Sequence, residues 1–173
     1  QGLSQVEYGG EIETIVIDND SDDPETIAYL DQLRRDGVIV VGHPGPFNFS
    51  AMNNQAAKLA TGELLCLLNN DIEMRDGAWL ESMARHAMRP GVGAVGALLQ
   101  YPDGTVQHAG VSIGTGNAAG HVYRGIPIAE TGHRNMHRLS RCVSAVTAAC
   151  MVVRRELFME VGGLDEHAFR VAF

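Results

Sequence analysis

A chain of 173 residues, 45% hydrophobic and 20% charged, carries enough apolar material for one globular core and gives no sign of a second domain. Its formal net charge of -8 excludes broad binding to nucleic acid or anionic lipid, both of which require a basic surface. No apolar run is long enough to span a bilayer, and the start Gln1-Gly2-Leu3-Ser4 lacks the basic and apolar regions of a secretion signal.

Ile12 to Ile17 is rich in β-branched residues and stops at Asp18-Asn19-Asp20-Ser21-Asp22-Asp23, which predicts a strand entering a polar loop. A helix follows, with Asp23 as its cap, Pro24 in its first position, and Ile27, Leu30 and Leu33 at helical spacing until Asp36-Gly37. Val38 to Val41 reads as a short buried strand closed by the breaker Gly42-His43-Pro44-Gly45-Pro46. Ser50 is the expected cap of a helix running to Ala60. The apolar run Leu64-Leu65-Cys66-Leu67-Leu68 lacks polar alternation and fits a strand covered on both faces, ending on Asn69-Asn70-Asp71. The resulting βαβαβ order implies a parallel sheet, and ligands of such sheets bind at the carboxyl ends of the strands.

Beyond Asp71, Asp76 is placed to cap a helix through Met88, with Trp79 at a core-like position. Val92 to Leu99 predicts a strand, Tyr101 to Thr105 a turn, and Val106 to Ile113 an extended segment. Residues 114–138 are rich in Gly and His and read as a long surface loop. Val143 to Val153 predicts a strand, followed by a helix from Arg154 to Val161 and a turn at Gly162-Gly163-Leu164-Asp165-Glu166. Cys66, Cys142 and Cys150 are odd in number and widely spaced among apolar neighbours, as expected of buried thiols in a reducing, cytoplasmic compartment.

Val16-Ile17-Asp18-Asn19-Asp20-Ser21, Asn53-Asn54 before Ala60-Thr61-Gly62-Glu63, Leu67-Leu68-Asn69-Asn70-Asp71, and Arg154-Arg155-Glu156-Leu157-Phe158 leading to Gly162-Gly163-Leu164-Asp165-Glu166 resemble, in order and spacing, the family 2 glycosyltransferases of the GT-A fold. Tyr101-Pro102-Asp103-Gly104-Thr105-Val106-Gln107-His108-Ala109-Gly110 further resembles their rhamnosyltransferase-like branch. The resemblance implies an α/β fold with a Rossmann-like, mostly parallel sheet flanked by helices. It implies inverting transfer of a sugar from a nucleoside-diphosphate-sugar donor to a saccharide or lipid-linked acceptor, in cell-surface polysaccharide synthesis, in the cytoplasm or at the cytoplasmic face of the membrane. Against the family pattern, residues 1–173 form a single partial catalytic domain that lacks the first strand and the C-terminal catalytic segment. The fragment is accordingly expected to be inactive.

The resemblance also assigns roles. Asp71 matches the last carboxylate of the family's Asp-x-Asp motif and is the expected ligand of Mg²⁺ or Mn²⁺, hard cations that prefer oxygen. Asn69 stands at the motif's first position; its amide carries no charge, which leaves metal dependence open. Asp18 matches the carboxylate that faces nucleobase and ribose, with acceptor oxygens suited to the imino N–H of uracil or thymine. Asn54, Lys58, Asn69 and Asn70 complete the expected nucleotide pocket. The general base is expected beyond Phe173, with Asp165 and Glu166 as substitutes that read first as turn residues.

The remaining polar residues point less sharply. His133 and His137 stand four apart without a third ligand and read as exposed loop histidines. His108 and His121 flank the Gly-rich loop within potential reach of donor phosphates or acceptor, and Arg134, Arg138 and Arg141 form a basic set or a solvated flank. A nucleotidyltransferase would share the sheet and the carboxylate-bound metal but needs a Gly-rich basic phosphate loop, which the chain lacks. A noncatalytic binding or assembly module is the other alternative, with self-association through exposed sheet edges.

Overall fold

The computed structural model describes residues 2–114, 119–131 and 134–171. In chain order the elements are β1 (Ile15–Asp18), α1 (Pro24–Arg35), β2 (Ile39–Gly42), α2 (Phe49–Leu59), β3 (Leu64–Leu68), α3 (Trp79–Ala87), β4 (Ala94–Gly96), β5 (Leu99–Gln100), β6 (Val106–His108), β7 (Val111–Ile113), β8 (Ala119–His121), β9 (Cys150–Arg154) and α4 (Arg155–Glu160). They divide into two compact units, Gly9–Leu65 with Arg155–Phe173, and Gln1–Tyr8 with Cys66–Arg154. The first carries Asp18 and the second Asp71.

The Asp18 unit is built on a parallel β1–β2 pair in the register Ile15↔Ile39 to Asp18↔Gly42, connected by α1. As expected, the Asp23 carboxylate caps α1, accepting from the Thr26 N–H and hydroxyl at 2.8 Å each, and Pro24 occupies the first turn. These two hydrogen bonds hold the Asp23 carboxyl below its usual range. Asp36 ends the helix, and Gly37 continues at φ 87°, a left-handed backbone that glycine adopts without strain. At α2 the cap is Asn48, not Ser50: Asn48 is extended and its Oδ1 accepts from Ala51 N–H at 3.0 Å. Ser50 falls in the first turn instead, buried, with its hydroxyl donating to Phe169 O. Among the described residues Leu30, Ala57, Leu65 and Phe158 are the unit's buried apolar side chains.

The Asp71 unit holds β4, β9 and β3 from Cys66 onward; the three strands form a sheet in the order β3–β9–β4, with β4 and β9 antiparallel. The single parallel ladder expected through the first three strands is thus replaced by two sheets, β1–β2 and β3–β9–β4. Helix α3 packs Met83, Ala84 and Ala87 against this sheet. Arg154 fixes its end, donating to Ala87 O at 2.6 Å and Val92 O at 3.1 Å. Asp76 does not cap the helix; its carboxylate accepts from Ala78 N–H in the preceding turn.

Two strands expected to be continuous are interrupted at glycines. Gly96 lies so close to Val146 that no Cβ fits, and β4 stops there, with β5 starting at Leu99. Gly110, at φ 106° against Val143, separates β6 from β7. The expected loop contains β8, antiparallel to β7 (Val111↔His121), and a 3-10 turn at Met136–Arg138. Of the expected strand from 143 to 153 only β9 is regular; before it, Ala145 bridges to Val111. The cysteines are all free, but only Cys150 is buried. Cys66 faces away from the buried Leu65 and Leu67, as strand alternation requires, and Cys142 lies in the irregular lead to β9.

Candidate functional site

In the Asp18 unit the loops leaving β1 and β2 are stitched together. Asp18 is half-buried; its Oδ1 accepts from Ser21 N–H at 3.2 Å and its carbonyl from His43 N–H at 2.8 Å. The Asn19 amide donates to His43 O at 2.7 Å and Gly45 O at 3.0 Å. Asp20 adopts φ 54° and accepts from Gly45 N–H at 3.0 Å. The expected polar loop thus begins at Asn19, and Asp18, closing β1, holds a carboxylate at the carboxyl edge of a parallel pair, where a ligand is expected.

His43 and Gln55 extend this network. His43 Nδ1 lies 2.7 Å from Gln55 Oε1, and Gln55 Nε2 donates to Gly42 O at 3.2 Å. In the sequence His43 stands within the breaker Gly42-His43-Pro44-Gly45-Pro46. Its position immediately after a strand, at the edge shared with Asp18, was the available signal.

Asn54 is bonded to the turn that follows α4. Its amide donates to Leu164 O and to Glu166 Oε1, both at 2.8 Å, and its Oδ1 accepts from Leu164 N–H at 2.9 Å. Buried, with both amide hydrogens donated and its oxygen accepting, it anchors the Gly-Gly-Leu-Asp-Glu turn to α2. Gly163, at φ 78°, packs directly on Asn54 Oδ1, where a Cβ would collide. Asp165 and Glu166 serve the same turn. Asp165 accepts from Ala168 and His167 N–H, which hold its carboxyl below the ordinary range and weaken it as a base. Lys58 is exposed in the last turn of α2.

In the Asp71 unit the turn after β3 is held more lightly. Asn69 is half-buried, and its N–H donates to Ala149 O at 2.9 Å. Asn70 and Asp71 are exposed in the turn that follows. Among the described residues no group of three or more His, Cys, Asp or Glu gathers to hold a metal. One carboxylate with neighbouring amide oxygens still fits Mg²⁺, which commonly takes one or two protein carboxylates and completes its shell with phosphate oxygens and water.

Behind that turn, the Ala149 N–H donates to Thr147 Oγ1 and the Thr147 N–H to His108 Nε2 at 3.4 Å. Since Nε2 accepts, the proton of neutral His108 sits on Nδ1 and donates to His121 Nδ1, 3.0 Å away. His108 is 1% exposed, and burial, reinforced by His121, lowers its pKa to about 4. It is thus a neutral core group. His137 is also buried, not exposed, with Nε2 3.3 Å from Ile128 O and its ring against Tyr123. His133 lies outside the described residues. Arg141 donates to Ala109 O and stacks on Tyr123, while Arg134 and Arg138 are exposed. No helix among the described residues is long and apolar enough to cross a membrane.

Comparison with known proteins agrees with this architecture. The family model described as glycosyl transferase family 2 matches residues 3–162. An uncharacterised protein, y4gI, of Sinorhizobium fredii is 45% identical over 173 residues, covering 99% of this chain and 19% of the relative. The O-antigen biosynthesis protein RfbC of Myxococcus xanthus is 43% identical over 165 residues, covering 95% of this chain and 13% of the relative. The chain thus spans less than a fifth of the length of these curated relatives. With its α/β architecture and a family match over nearly its whole length, the chain belongs to glycosyl transferase family 2, with a GT-A fold.

Proposed function

We propose that the protein of which this chain forms part transfers a sugar, with inversion, from a nucleoside-diphosphate-sugar donor to the hydroxyl of a saccharide or lipid-linked acceptor. Asp18 takes the nucleoside, and Asp71 is the carboxylate ligand of Mg²⁺ or Mn²⁺, with Asn69 and Asn70 offering amide oxygens to metal-bound water or ribose. When bound, the cation neutralises the departing diphosphate as a Lewis acid. Lys58 remains a candidate for the same donor. The name of the Myxococcus relative favours a role in cell-surface polysaccharide synthesis, hence work in the cytoplasm or at its membrane face. The 101–110 segment favours the rhamnosyltransferase-like branch.

The observation that carries this reading is the family match across residues 3–162, within which Asp18 ends β1 and Asp71 lies in the turn after β3. Transfer needs a carboxylate to accept the acceptor's hydroxyl proton. Asp165 is poorly suited, because two backbone N–H groups stabilise its charged form. Titration calorimetry with uridine or thymidine diphosphate and Mn²⁺ tests the assignment. Asp71→Ala should abolish the metal-dependent part of binding, and Asp18→Ala should weaken binding with or without metal. Equal metal-dependent binding by Asp71→Ala would refute the ligand assignment.

A further inference from the structure

We propose that His43 is a second nucleoside-binding residue beside Asp18, presenting its Nε2 lone pair to a hydrogen-bond donor of the nucleoside, either the imino N–H of the base or a ribose hydroxyl. The inference rests on the nucleotide reading of Asp18 given above. It is carried by the hydrogen bonds around the ring.

Gln55 donates through Nε2 to Gly42 O, which fixes the amide with Oε1 toward His43. A carbonyl oxygen only accepts, so His43 Nδ1, 2.7 Å away, must carry the proton. The neutral ring is thereby left with Nε2 as its acceptor atom. The backbone of the same residue is fixed at both polar groups, its N–H on Asp18 O and its carbonyl under the Asn19 amide. The register Asp18↔Gly42 puts His43 one residue beyond the strand end that Asp18 closes.

Here the His43 backbone is held by Asp18 O of β1, and its half-buried imidazole is held through Nδ1 by Gln55 of α2, which is itself tied to Gly42 O of β2, at the carboxyl edge of a parallel pair. Fixing a ring through second partners is how proteins set the tautomer of a group that meets a ligand. Gln55 is a positioning residue in this arrangement and His43 the contact.

Titration of the full chain with uridine diphosphate, its 2′-deoxy and N3-methyl analogues, and inorganic pyrophosphate tests the proposal. His43→Phe keeps the ring and removes the acceptor; it should weaken uridine diphosphate about tenfold and leave pyrophosphate unchanged. The wild type should lose a similar factor with whichever analogue lacks the donor, and His43→Phe should lose nothing further with that analogue. Gln55→Met, which frees the ring without touching its Nε2, should give a smaller loss of the same pattern, and this variant decides the matter if His43→Phe is misfolded. Unchanged uridine diphosphate affinity in folded His43→Phe, or an equal loss for pyrophosphate and both analogues, would overturn the role of His43 alone. A wild type that binds no nucleoside diphosphate overturns the nucleotide reading, and His43 falls with it.

Discussion

The loop that carries Asp18 and the turn that carries Asp71 are built on opposite plans. After β1, side chains and backbone of residues 18–21 bond to residues 43–45, and α2 reaches in through Gln55. After β3, the backbone bond from Asn69 to Ala149 marks the end of regular pairing, and Asn70 and Asp71 stand exposed. A nucleoside has a fixed pattern of donors and acceptors, so a rigid loop that matches it loses little entropy on binding. A cation with a diphosphate brings most of its own ligand shell and needs only a correctly charged edge. The difference in rigidity therefore matches the difference in what each carboxylate is proposed to hold.

In the Asp71 unit the rigidity lies behind the turn, at Thr147 and the His108–His121 pair, and the largest expected effect tests it through pH. Burial, with His121 beside it, depresses the folded pKa of His108 to about 4 from the ordinary imidazole value of 6.5, so the unfolded chain takes up this proton first as pH falls. The stability that neutral His108 contributes is complete above about pH 6.5 and is lost progressively down to about pH 4, amounting to roughly 3 kcal/mol. Urea denaturation at pH 7 and pH 4.5 should show wild type losing more stability than His108→Gln. Equal losses would mean that the pair does not brace this unit.

Next in size is Asn54→Ala in the Asp18 unit. It strands the Leu164 N–H and carbonyl and the Glu166 carboxylate, half-buried groups whose lost partners cost about 2–3 kcal/mol together. A urea midpoint unchanged from wild type would remove Asn54 from the architecture and return it to the nucleotide pocket.

What the sequence disclosed follows from the range of the interactions involved. The ends of α1 were readable because Asp23, Pro24 and Gly37 act within a few residues of themselves. At α2 two good caps, Asn48 and Ser50, stand two apart, and the choice is set by Phe169, which takes the Ser50 hydroxyl from 119 residues away. The breaks at Gly96 and Gly110 depend on Val146 and Val143, far along the chain, so continuous apolar runs concealed them. The positions of Asp18 at the end of β1 and of Asp71 in the turn after β3 were legible because apolar runs that stop on carboxylates are local patterns. His43 and Asn54 were not: the first is oriented by Gln55 on another element, the second by a turn 110 residues later. The burial of His108 and His137 is likewise a product of tertiary packing that no spacing rule reports.

The smallest effects discriminate best between the two plans. Asn19→Ala removes both bonds that tie the Asp18 loop to His43 O and Gly45 O and should cost about 1 kcal/mol of stability. Asn70→Ala and Asp71→Asn alter exposed side chains in a turn and should leave stability within about 0.5 kcal/mol of wild type. Binding should separate the same variants in the other direction. Asn19→Ala loosens the nucleoside loop and should weaken uridine diphosphate with or without Mn²⁺, whereas Asp71→Asn removes a charge and should act only when Mn²⁺ is present. A stability loss in Asp71→Asn as large as that of Asn19→Ala would show that the turn after β3 is as deeply built into its unit as the loop after β1, and the contrast between a rigid nucleoside edge and an open metal edge would fail.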